Sequence, residues 1–505
     1  MNTLFRPKDI LVEDDVRTAM KAIINDGIAS TAMGTLTSGT FLIAFALLLG
    51  ASNFVIGLLA AIPSLLQLLQ IPAIFLIEKI RNRKLIVVLS AAISRLFWIL
   101  IISIPFFFSA SIGVVILLAA LIMNSAFGSI AGCSWNSWIR DVLPENKLGG
   151  FFSRRMRIAT VVGIFLNIAA ASFIDKWKSL FPNKMTTAYA ILFTVGLLAG
   201  LIGLLFISKI PEPKMDPPKE KINFFSVLSE PFKNENFKNL MIFLCSWSFA
   251  INLATPFFTV YMLVRLNLEM SFIIFLSILS QAVHLLFLKI WGKFSDVLSN
   301  KSVLSVSGPI FIFSILLWTF TTLPEKHRFT LPLLIGIYIL MGIATAGVNL
   351  ATGNISFKLA PKGNATSYLT ASNFAIAMAA SIAPILGGRF ADFFTNYKLS
   401  WTLKWITPAK EIAVETLNFQ SWDFFFAFAF IMGLYSLHRL AFIKEEGEVE
   451  EALVFQQLMI ETMDEIKNFT TVGGVKQVID FPFAIFRYAK KTSKKSIHKI
   501  NRIFR

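Results

Sequence analysis

Three ionisable side chains, Asp26, Arg95 and His284, fall inside long apolar stretches of this chain. A charged group surrounded by hydrocarbon must be paired, wetted or neutralised, so each is a candidate for proton coupling or for holding a charged solute. Asp26 suits a proton or a cationic group, and equally a salt bridge at the membrane surface. Arg95 sits about ten residues into its apolar run, ~15 Å deep at ~1.5 Å of rise per residue, where it needs an acid, a cavity or a path to the headgroups. His284 changes charge near neutral pH when unperturbed, and Gln281, three positions earlier, shares its helix face. Gln67 and Gln70 repeat that spacing, and Asn124, Asn252, Asn349 and Asn373 add amides able to hydrogen-bond a solute. For every one of these polar residues, a hydrogen bond between neighbouring helices is the competing role.

Other chemistry lacks the residues it would need. There is no Gly-rich phosphate loop ending in Lys-Ser or Lys-Thr, no His-Glu-x-x-His and no serine elbow. The sequence therefore predicts no enzyme, no cofactor, no metal and no direct use of ATP. Cys133 and Cys245 lie within apolar runs, which leaves no disulfide framework or zinc spacing.

The elements that must position these groups are membrane helices. The 505 residues are 55% hydrophobic and 15% charged, with a mean hydropathy of +0.68. A net charge of +17 in a chain with such apolar runs excludes a soluble nucleic-acid binder and requires another explanation. A bilayer-crossing helix needs ~20 apolar residues. Twelve segments qualify, near 22–49, 53–77, 85–108, 111–138, 157–174, 187–209, 239–264, 271–291, 302–321, 329–353, 368–390 and 421–443. KIPEPKMDPPKEKINFF, 209–225, holds four prolines and divides the spans six and six. The expected fold is thus all-α and integral to the membrane, with a segment 1–21, a six-helix bundle 22–209, a linker 210–238, a second bundle 239–443 and a tail 444–505.

The halves carry an internal repeat. Glu78, Asn82 and Arg83 after span 2 match Asp296, Asn300 and Lys301 after span 8 at an offset of 218, and Leu143-Pro144 matches Ala360-Pro361 at one less. A near-constant offset predicts two parallel six-helix pseudo-repeats facing each other. Thirteen Lys and Arg in short loops on one side, against six on the other, place both termini in the cytoplasm. Small and polar residues concentrate in spans 1, 4, 7 and 10, where Gly27, Ser30, Gly34 and Ser38 make one such face.

Between spans 4 and 5 runs SWIRDVLPENKLGGFFSRRM, 137–156. On these residues the chain resembles the Major Facilitator Superfamily, many of whose uncharacterised bacterial members show tryptophan, acid, leucine-proline, glycine, aromatic and paired arginines there. LGASNFVIGLLAAIPSLLQLLQ, 49–70, is similar to the same group. The family's loop after span 2 reads Gly-x-x-x-Asp-Arg/Lys-x-Gly-Arg-Arg/Lys. Here Glu78 takes the acidic place and Lys79, Arg83 and Lys84 basic ones, while Ile74 and Arg81 stand at the glycines and Asn82 at an arginine. The second copy keeps Gly292, Asp296 and Lys301. The resemblance, over about 20–445, implies alternating access around a central cavity.

The charged elbow is then a cytoplasmic gate, in which Arg140, Arg154 and Arg155 can meet Glu78 and Asp141, with Gly149 and Gly150 allowing a tight reversal. A solvated basic loop that only sets topology is the competing reading. The expected activity is secondary transport of a small neutral or amphipathic solute by a monomer in a bacterial inner membrane, with protons as a candidate coupling ion. A transporter-like sensor or scaffold signalling through the tail is the alternative. That tail is acidic and amphipathic first and basic from Phe481 onward, a composition suited to anionic headgroups. Residues 391–420 form an outer loop with a candidate interfacial helix.

Overall fold

The computed structural model describes residues 5–9, 11–144, 148–215, 229–322, 326–361, 365–407, 410–420 and 422–445. Twelve helices among them are long and apolar enough to cross a membrane. They are spans 1 (Glu13–Leu48), 2 (Asn53–Ile80), 3 (Arg83–Phe107), 4 (Ala110–Val142), 5 (Arg154–Leu180), 6 (Pro182–Ile207), 7 (Glu235–Arg265), 8 (Met270–Asp296), 9 (Asn300–Thr321), 10 (Thr330–Leu359), 11 (Tyr368–Phe394) and 12 (Trp422–Leu440). The basic tail, Lys147 and Lys362 lie outside the described residues.

Several spans break where they line the interior. Span 1 stops at Thr37 and restarts at Gly39, whose φ of +57° favours a residue without a side chain. Span 2 contains Pro63, which lacks an N–H, and then a 3₁₀ turn at Gln67–Leu69. Span 7 contains Pro256 and ends in a π-turn at Tyr261–Arg265.

The repeat appears as matched hydrogen bonds, which set its offset at 217. The Asn82 side chain caps span 3 by accepting from the Leu85 amide (2.9 Å), and the Ser299 side chain caps span 9 by accepting from the Ser302 amide (3.0 Å). The sequence pairing of Asn82 with Asn300 is thus one residue out, because span 9 takes a serine rather than an asparagine as its cap.

Each half buries its own apolar seam. Phe258 stacks on Trp318 with centroids 4.4 Å apart, and Tyr261, Trp422 and Phe426 surround them, filling that end of the second half. The first half packs Phe45, Phe193 and Trp98 edge to face, and Trp98 forms part of the wall of an interior cavity.

Between spans 11 and 12 the chain forms an antiparallel hairpin, β1 Lys398–Thr407 with β2 Lys410–Gln420, not an interfacial helix. Leu399, Trp401, Leu403 and Trp405 alternate with polar residues, a period of two that fits a strand. The end of the bundle bearing this hairpin is called the hairpin face below, and the opposite end, where residues 8 and 213 pair, the linker face. Gly149 and Gly150 do not make a reversal. They lie in the first turn of the helix Leu148–Leu180.

Candidate functional site

Span 1 lays Asp26, Ser30, Gly34 and Ser38 along a cavity of about 530 Å³ inside the first half. Asn124, Ser125, Gly128, Gly132 and Trp135 of span 4 form the facing wall, so the small-residue faces of these two helices do make one space. Met33, Leu42, Leu59, Trp98 and Leu121 give it a mostly apolar lining. Of the corresponding residues of spans 7 and 10, Gly347 lets span 10 close on Ser307 and Trp291, Thr255 and Thr352 bond back to their own helices, and Thr255 and Asn349 are exposed.

At one end of the cavity lies a buried charge cluster. The Asp26 Oδ1 accepts from Ser30 Oγ at 3.0 Å. Arg95 is 7% exposed, and among the described residues its Nη1 has no hydrogen-bond partner. Span 6 makes room for both groups through Gly203, where a methyl would stand 3.1 Å from Asp26 Oδ1 and 3.6 Å from Arg95 Nη2. The two charges do not close to ion-pair distance. Arg155 enters from span 5, donates to the Ile23 carbonyl at 3.3 Å and lies 5.3 Å over the Trp135 ring. The Trp135 Nε1 is likewise buried without a partner among the described residues.

The other candidates have more local roles. Asn124 and Ser94 exchange hydrogen bonds of 2.9 Å that tie span 3 to span 4. Asn252 donates to Ser248 one turn back, and His284 Nδ1 lies 3.2 Å from Thr345 Oγ1 of span 10. Gln70 lends its carbonyl to Cys133. Gln67, Gln281, Asn349 and Asn373 are exposed and do not line this cavity. Gln281 instead lines a small gap between the halves together with Ser38 and Asn167.

Among the gate residues, Arg83 is central. Its guanidinium is 1% exposed, pairs with Asp141 and donates from Nε to Glu212 Oε1 at 3.0 Å. Glu78, Lys79, Arg140, Arg154 and Asp296 are exposed and make no ion pair among the described residues. Glu78 therefore does not join Arg154 or Arg155 here, because it points outward at the end of span 2 while Arg155 turns into the cavity. Gly292 packs beside Leu350, and Lys301 gives its amide to Glu445.

Four carboxylates that the sequence reading passed over organise both faces. On the linker face, Glu212 Oε2 accepts the Lys84 amide at 2.8 Å at the start of span 3. Glu445 Oε2 accepts the Lys301 amide at 2.7 Å at the start of span 9, and its Oε1 meets Lys358 Nζ at 2.8 Å. Each acid follows the last helix of its own half. Burial pushes the Glu212 carboxyl above the usual range, against the pull of Arg83. Burial acts on Glu445 too, but Lys358 and the donors at Lys301 and Asn300 outweigh it and hold that carboxyl below the usual range.

On the hairpin face the carboxylates cross between halves. Asp175 of span 5 accepts the Met270 and Ser271 amides of span 8 at 3.0 and 2.7 Å. Asp392 of span 11 accepts the Asn53 and Phe54 amides of span 2 at 3.0 and 2.8 Å. Helix N-termini offer unsatisfied N–H groups and a positive dipole end, which suits a carboxylate. Phe173-Ile-Asp175 and Phe390-Ala-Asp392 share a Phe-x-Asp pattern at the offset of 217, a signal already present in the sequence.

Two repeated six-helix halves, clasped to each other at one face and with a cavity inside the first, are the architecture of a carrier-type membrane protein. The chain belongs to the Major Facilitator Superfamily, whose sequence profile matches residues 27–384, and it is an integral, multi-pass secondary transporter. Among solved structures it is similar to the nucleoside transporter NupG, at 13% identity and TM-score 0.60, covering 85% of this chain and 99% of that one. It is similar to a bacterial homologue of the iron transporter ferroportin in an inward-facing state, at 11% identity and TM-score 0.62, covering 86% and 100%. A bacterial homologue of the human lysosomal transporter Spinster, inward-facing and unoccupied, follows at 14% identity and TM-score 0.52, covering 86% and 95%. No curated protein matches the chain by sequence.

Proposed function

We propose that this protein moves a small amphipathic or neutral solute across a bacterial inner membrane by rocking its halves about the cavity between spans 1 and 4. The observation that carries this is the contrast between faces. On the hairpin face Asp175 and Asp392 bind across the halves, whereas on the linker face Glu212 and Glu445 bind within their own. A carrier needs such exchangeable closures, since one face must seal as the other opens. With the linker face cytoplasmic, as the count of basic loop residues places it, the Asp175 and Asp392 bonds between the halves would close the outer side.

Asp26 is the group for proton coupling. It is buried within span 1, touches the cavity and, among the described residues, has Ser30 as its one direct side-chain partner, so its charge can change with the occupancy of the site. His284, which faces Thr345 outside the cavity, is the lesser candidate.

Purified protein in liposomes, given a solute library with and without an imposed pH gradient, tests the reading. Gradient-driven uptake that is lost in Asp26→Asn supports it. Uptake indifferent to the gradient removes the proton. Complete absence of flux, combined with capture of partners through the tail, replaces it with the sensor or scaffold alternative.

A further inference from the structure

The cavity's unmet donors and its charge together define a ligand class. Arg95 and Trp135 both line the cavity, and one side-chain nitrogen of each, Arg95 Nη1 and Trp135 Nε1, is buried without an acceptor among the described residues. Buried donors are almost always satisfied, and a structural arginine would be expected to spend its guanidinium on carbonyls or carboxylates. Here Asp26, the one carboxylate among the described residues that line the cavity, accepts from Ser30 and stays beyond ion-pair distance of Arg95. With Arg155 also lining the cavity, two guanidiniums face one carboxylate, which leaves an excess of positive charge within a largely apolar enclosure. The feature missing from this wall is an acceptor bearing negative charge.

Resting on the transport reading above, we propose that the cavity binds an amphipathic organic monoanion of the carboxylate class. Its head accepts from Arg95 Nη1 and Trp135 Nε1, and its tail lies along Leu42, Leu59 and Leu121. A single acidic group balances the excess charge, and a second would not be matched. The guanidinium fork suits a planar carboxylate, and the indole N–H adds a second donor that cannot be titrated away. Gly200 lets Met33 of span 1 pack against span 6, since a methyl there would overlap Met33 Sδ.

The test uses the full chain purified in detergent, titrated with straight-chain carboxylates from butanoate to dodecanoate and with the matching primary amides. Melting temperature and tryptophan fluorescence report binding, because Trp98 and Trp135 both line the cavity. At least one carboxylate is expected to bind ~10-fold or more tightly than its amide. Arg95→Gln is expected to weaken that binding ~10–100-fold, the loss of a charge-assisted hydrogen bond in a buried site. Trp135→Phe keeps the ring beneath Arg155 and removes only the N–H, with an expected loss of ~3–10-fold. Should Arg95→Gln fail to fold, Trp135→Phe and the acid-to-amide ratio still decide. Equal binding of acid and amide, binding unchanged by both variants, or no binding of any member overturns the proposal. Uptake in liposomes is scored separately: carboxylate binding without flux would remove transport and keep the ligand class, whereas flux of neutral solutes without carboxylate binding would do the reverse.

Discussion

Asp175 and Asp392 stand 217 residues apart and make the same pair of bonds, each holding two backbone amides at the start of a helix in the other half. The clasps are related by the internal repeat, so the hairpin face is sealed twice by one device. Asp175→Asn and Asp392→Asn keep an acceptor while removing the charge. Each is expected to weaken this closure by ~1–2 kcal/mol, about 5–30-fold in the equilibrium between open and closed hairpin faces. Spin labels at the exposed Phe107 and Phe329, in a chain lacking both cysteines, would report a longer distance population that grows in each variant and further in the double one. An unchanged distribution would leave the clasps without a role in gating.

Much of this was legible before any coordinates. The twelve spans follow from run length, and the small-residue faces of spans 1 and 4 do line the cavity, because polar groups in a membrane turn inward. The equivalent residues of spans 7 and 10 do not line that cavity, Gly342 and Gly347 packing against neighbouring helices while Thr255 and Asn349 stay exposed, a distinction that depends on which neighbour fills the space and that no single helix encodes. The carboxylates at 175 and 392 hold backbone amides, which any residue supplies, so only their repeated Phe-x-Asp pattern marked them, and those at 212 and 445 find their partners far away in the chain, at Arg83 and Lys358 as well as at helix-start amides. Arg81 is legible only in retrospect. It holds a position where the family has glycine, and its φ is +54°.

That φ leads to a stability prediction. A left-handed conformation costs a residue with a Cβ ~1–2 kcal/mol, and Arg81 recovers part of this through an exposed bond to the Met215 carbonyl at 3.0 Å. Arg81→Gly relieves the first and forfeits the second, for an expected gain of ~0.5–1 kcal/mol. A higher melting temperature in the same detergent checks it.

Close backbone packing between spans 2 and 11 accompanies the Asp392 clasp. A methyl at Gly57 would overlap the Pro384 carbonyl, and one at Gly388 the Asn53 carbonyl. Either glycine changed to alanine should push the two helices apart at the hairpin face and, with the labels above, mimic loss of the clasp. A similar distance shift from Gly336→Ala, which meets nothing within 4 Å, would show that the readout is not specific to this contact.

The linker-face acids should titrate in a set order. Glu212 is raised by burial and Glu445 is lowered by Lys358 and its amide donors, so falling pH protonates Glu212 first. A carboxyl whose folded value is depressed adds stability that is present above its unfolded value, ~4.3, and is lost as pH falls through the folded one. Glu445→Gln should therefore lower the melting temperature at neutral pH, by an amount matching ~1–3 kcal/mol for donors left without a full partner. The difference from the parent should shrink as pH falls below the ordinary carboxylate range and the parent's own Glu445 becomes neutral. Glu212 has the opposite sign: its raised value means the fold favours the protonated form, so mild acid should cost the first half less than it costs the second. Infrared carboxyl bands assigned with Glu212→Gln and Glu445→Gln would show the order directly, and a Glu445 band that appears before the Glu212 band would contradict it.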